Sequence, residues 1–188
     1  MARKYEQRRR AAAQDETRRR IAAATAELHA SVGPGKTTIS AIAERAGVQR
    51  LTVYRHFPTE RELFAACSAH WLAGSPPPDP QPWRELADPD ERLATALRAL
   101  YRWYRDNEGM VANVERDAPL LPALAEVSDP SRFLEPVREI LMAGRADTVA
   151  ERAAIGHALA FSTWRSLARE QGLSDEAAVE LIARLVAG

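Results

Sequence analysis

The stretch Arg50-Leu51-Thr52-Val53-Tyr54-Arg55-His56 concentrates groups that could do chemistry on a polyanion. Val53 and Phe57 are four residues apart, so on a helix they share one face, and that apolar face must be buried. Leu51 and Arg55 project roughly opposite, Thr52 and Tyr54 flank them, and Arg50 leads the N-terminal end. A guanidinium can grip a guanine edge with two hydrogen bonds, and Leu51 can touch a thymine methyl. Thr52, Tyr54 and His56 offer short donors for phosphates, which set register rather than sequence. Together these groups suit a major groove. The competing reading is a plain helical hairpin with two exposed arginines. Thr38 and Ser40, at the start of the preceding helix, complete the candidate DNA contacts.

These side chains need short, sharply turned helices behind them. Thr38 is a plausible N-cap for a helix with Ile39, Ile42, Ala43 and Ala46 inward. Gly47 is the pivot, since a left-handed dihedral is needed for the chain to turn sharply there. Upstream, apolar residues recur at Ile21, Ala24, Thr25, Leu28 and Val32, predicting a helix from about Asp15 to Val32 that ends at Gly33. Downstream, Thr59 and Glu62 form a capping box that opens a helix carrying Leu63, Phe64, Cys67, Trp71 and Leu72. Five of the nine residues 74–82 are proline, which stops any helix or sheet and marks a stiff linker. Beyond it the pattern predicts helices from Asp88 through Tyr104, over 108–117, from Asp129-Pro130 to about Ala143, from about Thr148 to Gln171, and from Ser174 to about Val186. The expected fold is therefore all-α: a basic N-terminal extension over 1–14, a helix-turn-helix three-helix head over 15–73, a proline-rich linker over 74–87, and a ligand-binding and dimerisation bundle over 88–188.

Charge supports a division of labour. Net charge is zero, yet residues 1–70 hold 13 Lys and Arg against 7 Asp and Glu, and the remainder reverses that balance. Only the front half is suited to a polyanion. A single cysteine, Cys67, excludes an intramolecular disulfide and fits a reducing cytoplasm. No apolar run approaches the roughly 20 residues of a membrane span, and no secretory signal opens the chain, so no membrane partner is expected. Gly35-Lys36-Thr37 resembles the end of a phosphate-binding loop, but Ala30 stands where that motif needs glycine, and a helix precedes it where a strand should. The four histidines, His29, His56, His70 and His157, lack metal-ligand spacing. With no nucleophile–base pair and no nucleotide fingerprint, the expectation is a non-enzyme without catalytic residues, metal or cofactor.

The back half carries aromatic and polar residues on three segments. Tyr101 and Tyr104 fall on one side of a helix, Asn113 on the next, and His157, Phe161 and Trp164 on a later one. They are the candidate ligand-binding residues, able to line a pocket for a flat or apolar small molecule. Core or dimer interface is the competing reading. Ile155, Leu159 and Trp164, with Ala178, Leu181, Ile182 and Leu185, give the last two helices wide apolar faces that favour a two-fold homodimer.

The run Thr38-Ile39-Ser40-Ala41-Ile42-Ala43-Glu44-Arg45-Ala46-Gly47-Val48, followed by Thr52-Val53-Tyr54-Arg55-His56-Phe57 and Leu63, resembles the DNA-binding domain of tetracycline-repressor (TetR) family regulators, over about residues 16–72. The resemblance implies a homodimeric repressor on a palindromic double-stranded operator, released by an as yet unknown small-molecule inducer held in the C-terminal part. A DNA-binding regulator without an inducer, constitutive, architectural or controlled by a protein partner, is the alternative. Family members commonly carry a phosphate-contacting lysine where this chain has Glu60, and a carboxylate there repels DNA. Arg61, or an arm formed by Arg3, Lys4, Arg8, Arg9 and Arg10, is a candidate to compensate.

Overall fold

The structure, a computed structural model, describes residues 2–187, with side chains described for 5–186. The described residues form helices and turns, without a strand. Internal contacts divide the chain into two compact units. One holds residues 1–76 and 109–128, the other 77–108 and 129–188.

The first unit is built on α1, Ala2–Ser31, followed by α2, Ile39–Ala46, α3, Arg50–His56, and α4, Glu60–Gly74. Ile21 and Ala24 of α1 bury against Ile42, Ala43 and Ala46 of α2, Val53 and Phe57 of α3, and Leu63 of α4. Of the stripe expected from the 3.6-residue repeat, Ile21, Ala24, Thr25 and Leu28 turn inward, whereas Val32, past the end of α1, is 43% exposed. Residues 2–14 continue α1 as helix, because Ala11-Ala12-Ala13 and the surrounding Arg and Gln are strong helix formers. Arg8, Arg9 and Arg10 are exposed on that extension, whereas Arg3 and Lys4 lie outside the described side chains.

Two later helices belong to the same unit. In α6, Glu108–Asp117, Met110 packs with Ala26 and Cys67. Its far end holds the end of α1: Asn113 Nδ2 donates to the carbonyls of His29 and Ala30 at 2.9 and 3.0 Å, and the Gly35 N–H donates to the Asp117 carboxylate at 2.8 Å. The Asn113 amide thus satisfies two of the carbonyls at the end of α1. Gly33 ends α1 at φ 94, and a Cβ there would collide with the Arg116 guanidinium. The short α7, Pro122–Val127, packs on α4.

In the second unit α5, Pro89–Asp106, is the central element, burying Leu93, Leu97, Leu100, Tyr101 and Tyr104. Asp88 caps it through the Asp90 N–H, as the sequence predicts. Around it lie α8, Ser131–Met142, α9, Val149–Leu159, α10, Phe161–Arg165, and α11, Asp175–Ala187. Buried Arg92 pairs with no carboxylate among the described residues; it donates to the carbonyls of Leu86, Ile140 and Ala143. A guanidinium among carbonyls at a helix C-terminus is favourable.

The single helix expected from Thr148 to Gln171 is broken. Ala160 is extended, φ −70 and ψ 138, separating α9 from α10, and a π turn at Ser166–Glu170 follows. Three hydroxyls take the carbonyls that the break releases. Thr163 donates to His157 O at 2.6 Å, Tyr101 to Ala158 O at 2.9 Å and Tyr104 to Leu159 O at 2.7 Å. Each such bond contributes about 0.5–1.5 kcal/mol and spares a buried carbonyl a larger penalty.

Candidate nucleic-acid interface

The first unit holds a tightly turned pair of helices. Thr38 Oγ1 accepts the Ala41 N–H at 3.1 Å and starts α2. Gly47 ends it at φ 62 and ψ 42, and Val48 N–H returns to Ala43 O at 2.9 Å. That left-handed glycine is the pivot the sequence demanded. α3 then runs with Val53 fully buried and Phe57 at 3% exposure, while Leu51 is 67% and Tyr54 47% exposed. Arg50 and Arg55 are exposed, Thr52 and His56 half-buried, and Thr38 and Ser40 exposed on α2's side of the turn. Neither arginine makes an ion pair among the described residues. Of the eight residues proposed from the sequence, six are thus exposed and two half-buried.

An open groove of about 490 Å³ runs beside α3, lined by Thr52, Arg55 and His56 and, on α1, by Gln14, Asp15, Thr17 and Arg18. Arg18 is a residue the sequence reading missed. Its Nη1 donates to His56 O at 2.5 Å, and its guanidinium stacks on Phe57, 4.2 Å from the ring centroid. Arg20 was missed too; it donates to Ala46 O and Gly47 O. The signal, arginines flanking the buried stripe of α1, is visible only once the partner helices are placed.

Glu60 is exposed at the first turn of α4, and Arg61, offered as its substitute on phosphate, is instead paired with Glu126 of α7 at 3.1 Å. Deeper in the unit His29 is buried against Phe64 and lies 3.5 Å from Cys67 Sγ. Burial lowers the imidazole pKa to about 4, against a smaller opposing pull from Asp117, and raises the Cys67 thiol to about 12. A buried neutral thiol of that kind is unreactive.

The ligand candidates are distributed unevenly. Tyr101, Tyr104, Phe161 and Trp164 come together in the core of the second unit, with Tyr104 5.3 Å from Phe161 and 6.1 Å from Trp164 between centroids. Burial raises the Tyr101 pKa, helped by nearby Asp175. Trp164 Nε1 donates to Asp175 at 2.9 Å, and Arg105 clamps the same carboxylate. His157 is exposed at the end of α9. Asn113 is in the first unit, bonded to the end of α1, and does not join this cluster.

A short helix with one buried face, pivoted on a left-handed glycine against a second helix, defines a helix-turn-helix DNA-binding head. Residues 21–67 match the family model of bacterial regulatory proteins of the tetR family. The head is thus a tetR-family DNA-binding domain, and the chain as a whole has the TetR-like fold. It is similar to the crystal structure of a TetR-like transcriptional regulator from Rhodococcus sp. RHA1, with TM-score 0.62 and 19% identity over 91% of this chain and 93% of that one. It also resembles the multidrug binding protein EbrR complexed with imidazole, with TM-score 0.61, 22% identity, and 89% and 93% coverage. RolR in complex with resorcinol gives TM-score 0.54 and 21% identity, over 94% and 90%. No curated protein matches the chain. Among the described residues no helix is long and apolar enough to cross a membrane.

Proposed function

We propose that this protein is a ligand-responsive transcriptional regulator, a homodimeric repressor released from a palindromic operator by a small molecule. The carrying observation is the division of α3: Val53 and Phe57 buried, Arg50, Leu51, Tyr54 and Arg55 exposed, with no ion pair to either arginine among the described residues. Such a helix presents base-reading groups to the major groove, while Thr38, Ser40, Thr52 and His56 suit phosphates. A two-fold dimer sets two such helices about 34–36 Å apart, or a multiple, and so reads a palindrome. The pairing surface is assigned to α9 and α11, but Ile155, Leu159, Trp164, Ala178 and Ile182, expected on it, are buried within the unit, which leaves exposed Leu185 at 69% and, outside the expected set, Val149 at 88%.

The inducer is assigned to the aromatic cluster of Tyr101, Tyr104, Phe161 and Trp164 in the second unit. Similar folds were solved with imidazole and resorcinol, small planar rings of the kind that aromatic cluster suits. A ligand acts by binding the conformation unfit for DNA more tightly than the fit one. A differential of about 1–3 kcal/mol is typical of such coupling. A second reading, a regulator without an inducer, is favoured by one fact: both tyrosine hydroxyls already donate to backbone carbonyls. Fluorescence anisotropy of a selected operator duplex, titrated with a panel of small phenols and azoles beside a thermal-shift screen, separates the two. Release of the duplex by a compound that raises the melting temperature supports the first; a panel that does neither supports the second.

A further inference from the structure

The two helices of the reading head are short, 8 and 7 residues, and such helices are not stable by themselves. Each ends in carbonyls that need donors. For α2 the αL turn at Gly47 supplies part of the answer. α3 has no such turn: it ends at Phe57 with φ −138. Both ends receive a guanidinium from α1. Arg20 donates through Nε to Ala46 O at 3.2 Å and through Nη2 to Gly47 O at 3.1 Å. Arg18 donates to His56 O and sits over the ring of Phe57, the residue that anchors α3 inward. Two residues apart on a helix, the arginines fall on opposite flanks of the stripe that buries Ile21 and Ala24. Arg19, between them, bonds to Glu16 on its own helix.

We propose that Arg18 and Arg20 are positioning residues of the DNA-reading face, a paired cap from α1 that holds α2 and α3 at the angle at which Arg50 and Arg55 meet base edges. This rests on the DNA-reading function proposed above. A cation at a helix C-terminus is favourable, and a planar fork serves better than an ammonium. The Arg18 guanidinium is bonded to a carbonyl and stacked on a ring, so its work is to orient α3, not to neutralise a phosphate. The distinction is measurable, because each phosphate contact adds about 0.9 to the slope of log K against log salt.

The test uses the full chain, a duplex recovered by selection from random DNA, and a scrambled duplex of equal length. For Arg18→Ala the expected result is about a tenfold loss of affinity for the selected duplex, the scale of one lost cap. Affinity for the scrambled duplex and the salt slope stay unchanged, and Arg18→Lys recovers only part of the loss. Arg20→Ala behaves alike, and Arg19→Ala is neutral. Circular dichroism melting fixes a binding temperature at which every variant is folded, and Arg18→Lys carries the same readout if Arg18→Ala is unfolded. Equal losses on both duplexes with a salt slope lower by about one would make Arg18 a phosphate contact and overturn the proposal. Unchanged discrimination in Arg18→Ala and Arg18→Lys, while Arg55→Ala loses it, also overturns the proposal. If Arg55→Ala too is unchanged, the DNA-reading assignment has failed instead.

Discussion

The exposed face of α3 and the aromatic cluster of the second unit use similar side chains in opposite states. On α3, Tyr54 and two arginines are exposed without partners among the described residues, on a helix fixed from beneath by Val53 and Phe57. In the second unit Tyr101, Tyr104 and Trp164 are buried, and each polar tip is bonded within the unit, to Ala158 O, Leu159 O and Asp175. Polar groups left open on a rigid support are free to bond another molecule; groups already satisfied hold the fold. On this physical ground the proposed DNA contact needs no bond within the chain to be broken, whereas a ligand entering the second region must exchange bonds rather than fill open ones.

Substitutions can break or sharpen this contrast. The largest effect is expected for Trp164→Ala, which empties a fully buried site and loses about 3–5 kcal/mol of stability by chemical denaturation. Next is the pH dependence set by His29. The unfolded chain protonates it near pH 6.5, the folded head only near 4. Stability from this group is therefore complete above about pH 6.5 and declines as pH falls to 4, by up to about 3 kcal/mol. Melting curves of wild type and His29→Gln across that window check this, the variant giving the flatter profile. Arg55→Ala should cost about 1–3 kcal/mol of operator binding without moving the melting temperature. An equal loss of stability would put Arg55 in the same state as the buried aromatics and dissolve the contrast. Tyr104→Phe leaves Leu159 O without its donor and lowers stability by about 1–2 kcal/mol, with operator affinity unchanged in gel shifts. The smallest effect is expected of Glu60→Lys, which removes a repelling carboxylate at the start of α4 and tightens binding severalfold at low salt.

The same contrast explains what could be read from the sequence. Thr38, Gly47 and the Val53–Phe57 spacing are local signals, each tied to a cap, a left-handed dihedral or a face, so the head was legible residue by residue. The limits of α6, Glu108–Asp117, and the Asp88 cap were equally local. The break at Ala160 was not, because alanine is the best helix former and the cause lies in hydroxyls on α5 more than 50 residues away. Asn113 looked like a pocket residue for the same reason: nothing near it in the chain announces that it bonds the end of α1. Arg18 and Arg20 carry no local signal, because the carbonyls they meet lie 38 and 26 residues further along the chain.

The most direct measurement is selection of bound sequences from a random DNA pool at one stated salt concentration, with wild type and Arg55→Ala in parallel. The wild type should enrich a motif with two-fold symmetric half-sites, and Arg55→Ala should keep the symmetry while one base step in each half-site becomes degenerate. A pool without any enriched motif, or a motif that Arg55→Ala recovers undiminished, would contradict the assignment of α3 as the base-reading element.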